Sequence, residues 1–141
     1  MRLLRAGYVV ARRLNCSVMR PSNLSAFEAA VLQWIAASSR DRALELQLAD
    51  VAIAERDYTV VGCHSRLSVA EGAPLSTAVY SQRGPLDGPH FESKVVEHGG
   101  GTLLWFKAGR ADCLEIYAHG NYFPSDHGEL GDFKLSEGVS V

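Results

Sequence analysis

What this sequence lacks narrows it first. Its strictly apolar runs stop at four residues or so, as in Leu103–Phe106, whereas a bilayer-crossing helix needs about 20. No membrane-spanning helix is expected, and no membrane partner. Cysteine is scarce: Cys16, Cys63 and Cys113 are far apart and odd in number, and no CxxC pair occurs. That spacing excludes a zinc ribbon or a thioredoxin-type site, and it argues against a disulfide framework. Three buried thiols in a reducing, cytoplasmic compartment are the expectation.

Catalytic motifs are missing too. The five histidines, His64, His90, His98, His119 and His127, form neither HxH nor HExxH, so no zinc-protease signature exists. There is no G-x-S-x-G elbow. Gly99-Gly100-Gly101 has no GKS or GKT after it and leads into strand-like sequence rather than a helix. It therefore reads as a flexible connection or bulge, not a phosphate cradle. Cys63 and His64 are adjacent on a strand and point to opposite faces, so they cannot pair as nucleophile and base. Cys113 shares a face with Glu115, whose charge opposes thiolate formation. No cofactor and no metal are expected. A site joining His98, His119 and Glu115 is geometrically conceivable, but loop or surface roles are the commoner fate of such histidines.

Charge is small overall and unevenly placed. Net charge is −2, yet residues 1–20 carry five arginines and no acid, leaving −7 on residues 21–141. The acidic body disfavours nucleic acid, which needs a basic face to displace counterions from phosphates. Residues 1–20 are read as a basic extension: an arm, a targeting segment, or upstream sequence translated ahead of Met19. Residues 21–141 are read as one domain, long enough to bury roughly two-thirds of its unfolded surface.

Within that body the period changes once. Ser25-Ala26-Phe27-Glu28 is a capping box, and Phe27, Ala30, Val31, Trp34 and Ile35 share a helical face. Ser38-Ser39 closes the helix, and Asp41 caps a second one through about Leu48. From about Asp50 the residues become β-branched: Val51–Asp57 and Val60–Leu67 read as strands joined near Tyr58. Residues 71–90, with Pro74, Pro85 and Pro89, read as loop with a short extended piece at Leu75–Tyr80. Phe91–His98 reads as a strand. Thr102–Lys107 and Arg110–Ala118 flank Ala108-Gly109 as the clearest hairpin. Leu103-Leu104-Trp105-Phe106 reads as a central strand covered on both sides. In its partner Leu114 and Ile116 take one face, and Cys113, Glu115 and Tyr117 the other. A last strand or helix is expected near Asp132–Leu135. The fold class is α+β: N-terminal helices packed on one face of an antiparallel sheet of four to six strands.

Gly100-Gly101-Thr102-Leu103-Leu104-Trp105-Phe106-Lys107-Ala108-Gly109-Arg110, then Leu114-Glu115-Ile116-Tyr117 and Tyr122-Phe123-Pro124, resembles the C-terminal signature of small uncharacterised bacterial α+β domains. The resemblance covers roughly 25 residues and implies an α+β fold with no assigned activity. By analogy of fold, such small acidic domains serve as immunity or antitoxin-like binders.

After Arg110, Asp112, Glu115, Asp126, Glu129, Asp132 and Glu137 oppose only Lys134, with Tyr117, Tyr122, Phe123 and Phe133 interleaved. An acidic surface bearing aromatics suits a basic protein partner, though acidic edges also serve solubility alone. Expected binding residues are Glu115, Tyr117, His119, Tyr122 and His98. The leading reading is a non-enzymatic binding protein of immunity or regulatory type. Its rival is a small-molecule-binding domain or hydrolase-like enzyme, with Glu115, Tyr117, His98 and His119 around a pocket between helix and sheet. A homodimer through a sheet face or edge is a third expectation.

Overall fold

The computed structural model describes residues 23–137. The basic extension lies outside the described residues. Two helices, α1 (Ala26–Ser39) and α2 (Arg42–Ala49), precede seven strands: β1 (Ala52–Thr59), β2 (Gly62–Ser68), β3 (Leu86–Asp87), β4 (His90–Ser93), β5 (Gly100–Lys107), β6 (Arg110–Ala118) and β7 (Phe133–Ser136). All pair antiparallel in one sheet of order β1-β2-β6-β5-β4-β7, with β3 also on β5. The described residues are thus α+β, but with seven strands rather than four to six. One of the seven, β3, is a two-residue strand within the proline-rich loop. No helix among the described residues is long and apolar enough to cross a membrane.

The capping box forms at Ser25 and Glu28, and Asp41 caps α2 by accepting from the Ala43 and Leu44 amides. Each cap is worth about 1 kcal/mol. The buried helix residues Phe27, Val31, Ile35 and Leu44 meet Cys63, Leu67, Leu104, Leu114 and Ile116 from the sheet. The helices therefore cover one face, as expected. Buried Gln47 ties α2 to the hairpin tip: its amide donates to the Gly109 carbonyl and its Oε1 accepts from the Ala111 amide. That tip needs left-handed backbone at both centres, φ 52° at Ala108 and 81° at Gly109, as a type I′ turn does.

Four local expectations change. The β1–β2 turn is Val60-Val61, two residues beyond Tyr58, with Thr59 opposite Gly62. The strand expected over Phe91–His98 stops at Ser93. There the Ser93 hydroxyl accepts from the Val95 amide and donates to the Leu130 carbonyl, turning the backbone so that Val96 enters the core. Gly100 and Gly101 are strand, not a flexible connection. A Cβ on Gly100 would lie 2.7 Å from the Phe91 ring, and one on Gly101 2.5 Å from the Tyr117 ring. The two glycines admit aromatic rings to the sheet surface. Finally, β5 is covered on one side only: Leu104 is fully buried, but Trp105 is 39% exposed.

Two β-bulges set which residues face the helices. In β1, Ile53 opposes Leu67 and Glu55 opposes Arg66, so Ala54 is the extra residue. In β6, Cys113 opposes Trp105 and Ala111 opposes Phe106, so Asp112 is extra. An extra residue reverses the alternation beyond it. Arg56 and Tyr58 consequently turn toward the helices with Ser65 and Cys63, while Glu55 and Asp57 turn away with Arg66 and His64.

Candidate functional site

Two groups of polar side chains lie on opposite sides of the sheet. The first sits on the covered side. Glu28 is wholly buried, and its carboxylate accepts from Arg56 Nε (2.9 Å) and Nη2 (2.6 Å), Ser65 Oγ (2.6 Å) and the Ser25 amide (2.8 Å). Burial alone would raise its pKa. The Arg56 guanidinium, the Ser25 amide and the Ser65 hydroxyl outweigh that and hold it at about 2. His127, almost fully buried, places Nδ1 3.0 Å from Ser25 Oγ and 3.4 Å from Glu28 Oε2. Burial lowers its pKa against the pull of Glu28. Its ring packs against those of Phe27, Tyr58 and Phe123, and among the described residues its Nε2 has no hydrogen-bond partner. Serine and carboxylate both meet the same imidazole nitrogen, so the ring cannot relay a proton between them as a catalytic triad does. This cluster joins α1 to β1, β2 and the His127–Leu130 turn, and its chemistry is structural.

The second group sits on the open face, in rows across the strands. Glu55, Arg66, Cys113 and Trp105 form one row; Asp57, His64, Glu115 and Leu103 the next; Thr59, Gly62, Tyr117 and Gly101 the third. Cys113 is short between two long neighbours, and a depression of about 410 Å³ opens there. Asp112, turned out by its bulge, joins the lining. Trp105 Nε1 donates to Glu115 Oε1 at 2.8 Å, and Glu115 Oε2 lies 3.9 Å from His64 Nε2. Four carboxylates, from Glu55, Asp57, Asp112 and Glu115, thus surround the single guanidinium of Arg66. Among the described residues none of Glu55, Asp57, Asp112 and Arg66 makes an ion pair through its side chain. Burial and the neighbouring carboxylates of Asp112 and Glu115 push the Cys113 thiol up to about 11. It is a neutral floor, not a nucleophile.

The expected binding residues separate into two sets. Glu115, Tyr117 and His119 continue the Cys113 stripe along β6 and just beyond it, as alternation requires. Tyr117 and His119 rings are 5.8 Å apart, and His119 meets His90 of β4 at 5.5 Å. His98 stands apart: it is exposed, in a left-handed turn with φ 68°, 3.8 Å from Glu97. Tyr122 is also exposed, beyond β6, where the next residue's amide binds the Val60 carbonyl. His98, His119 and Glu115 do not converge, and among the described residues no group of three such side chains could hold a metal. Nor is the C-terminal acidic stretch one aromatic surface: Phe123 is buried and Phe133 packs on Phe27. Asp126 spends its carboxylate accepting from the Gly128 amide.

Alternation along β6 puts Glu115 on the face of Cys113 and Tyr117 but does not show what surrounds it. Leu103–Phe106 reads as a strand covered on both sides, but the position of Trp105 opposite Cys113 marks it as outward. Glu55, Asp57 and Asp112 depend on bulges that no residue pattern announces. Glu115 and Tyr117 face away from the helices, so a helix–sheet pocket does not gather them. A larger groove of about 810 Å³ runs between α1 and α2 past Leu32, Ala36 and Leu46, and it contains none of the expected residues.

No family model, no curated protein and no solved structure matches this chain.

Proposed function

We propose that this protein is a non-enzymatic binding protein, of immunity or regulatory type, that captures a basic protein partner on the open face of its sheet. The observation that carries this reading is the depression over Cys113, where four carboxylates face one guanidinium beside a partly exposed tryptophan. Acidic potential of this kind steers a basic partner and sets its register. An aromatic at the centre supplies contact area that charge alone does not. The acids of this surface come from β1, Glu55 and Asp57, and from β6, Asp112 and Glu115, with His64 and Arg66 of β2 between them.

The test is capture at low salt with the wild-type chain and with a triple variant, Asp57→Asn, Asp112→Asn, Glu115→Gln. The expected result is a basic protein retained by the wild type, released by salt, and lost from the variant at unchanged melting temperature. A partner held equally by both proteins overturns the reading, as does the absence of any partner at low salt.

A further inference from the structure

We infer that the depression over Cys113 is an arginine subsite: one arginine side chain of the partner enters it, stacks on the indole of Trp105 and meets the carboxylates of Glu115 and Asp112. The inference deepens the reading just given and rests on it.

Shape comes first. On this face the short Cys113 side chain lies between Arg66 on β2 and Trp105 on β5, so the floor is low and both walls are tall. The opening is about 410 Å³, room for one long side chain rather than for a helix.

The wall is also prepared for a planar cation. The hydrogen bond from Trp105 Nε1 to Glu115 Oε1, 2.8 Å, fixes the indole and brings a carboxylate to its edge. The residue still leaves 39% of its surface exposed. A cation within about 6 Å of a tryptophan ring is attracted to its face, and arginine is the commoner partner. Guanidinium is flat, weakly hydrated and forked, so it can stack on the ring and donate in-plane to carboxylates at once. An ammonium is a compact, strongly hydrated point charge.

Charge balance then favours one guest. Among the described residues the acids at 55, 57 and 112 have no ion-pair partner of their own, and Arg66 is the one arginine or lysine of the lining. Arg66 stands across Cys113 from Trp105, so an incoming cation is directed to the tryptophan side, away from the like charge.

The experiment uses the full chain carrying Trp34→Phe, which leaves Trp105 as the single indole. Three otherwise identical peptides are titrated into it at low salt, bearing four arginines, four lysines or four citrullines. The arginine peptide is expected to bind about fivefold more tightly than the lysine peptide and to shift Trp105 fluorescence; the citrulline peptide is expected not to bind. Trp105→Leu should erase the arginine–lysine difference while leaving residual charge-driven binding of both peptides. Equal binding of the arginine and lysine peptides with an unmoved Trp105 signal overturns the subsite but leaves the acidic docking face standing. Binding of neither peptide overturns both. Sedimentation of the unliganded chain as a dimer that Trp105→Leu dissociates also overturns the inference, because a second copy then covers the face.

Discussion

The two faces of this sheet are made from alternate residues of the same strands, yet they treat charge in opposite ways. On the covered face Arg56 donates twice to Glu28, and Ser25, Ser65 and His127 complete the shell around that carboxylate. On the open face, one residue to either side of Arg56, Glu55 and Asp57 have no ion-pair partner among the described residues. Buried charge must be neutralised and hydrogen-bonded or the fold bears the desolvation cost. Exposed charge is under no such demand and remains available to something outside. The difference separates groups that hold the fold from groups that can recognise a partner.

Removing the centre of the covered cluster is the hardest blow to that contrast. Glu28→Ala leaves the Arg56 guanidinium without its acid and should cost about 4 kcal/mol, read as a lower urea midpoint. A loss below 1 kcal/mol would erase the distinction between the faces. Acid should act next. The folded-state pKa of Glu28 is about 2 against an ordinary 4.5, so its contribution is complete above 4.5 and is lost as pH falls toward 2. That shift corresponds to about 3 kcal/mol. His127, with a pKa lowered by burial from 6.5, stabilises the fold fully above 6.5 and starts to lose that contribution below it. Urea midpoints across this range should therefore fall in two stages, with the lower stage absent in Glu28→Ala. A lower stage that persists in that variant would assign it to other carboxylates. Ser65→Ala deletes one hydrogen bond to the same charge and should cost about 2 kcal/mol in the same measurement. At the small end, Asp57→Asn or Asp112→Asn should change stability by less than about 0.5 kcal/mol while weakening a basic partner at low salt. A large loss of stability from either would place it in the structural class.

Much of the fold was legible because local rules suffice for it. Ser25 and Glu28 announce a capping box, Asp41 announces α2, and Ala108-Gly109 announces a tight hairpin turn, each from a few neighbouring residues. Alternation placed Cys113, Glu115 and Tyr117 on one face. What escaped depends on distant partners. Phe91–His98 has strand-forming composition, but Ser93 bonds Leu130 and ends the strand. Gly100 and Gly101 look flexible until Phe91 and Tyr117 are seen filling the space a Cβ would need. Trp105 is apolar by composition, and only the pairing of β5 with β6 shows that it points outward. Glu28 read as a capping residue, and nothing within α1 foretells that Arg56, 28 residues later, joins it.

The bulge at Ala54 acts as a phase inverter for β1. The charge pattern of both faces is stored less in which residues the strand contains than in which of them is left out of the pairing. Taken into the ladder as an ordinary pair, Ala54 would leave every side chain in its place in the sequence, yet it would hand Glu28 the carboxylates of Glu55 and Asp57 and push Arg56 out to solvent. At this position register is as strict a specification as any side chain in the protein.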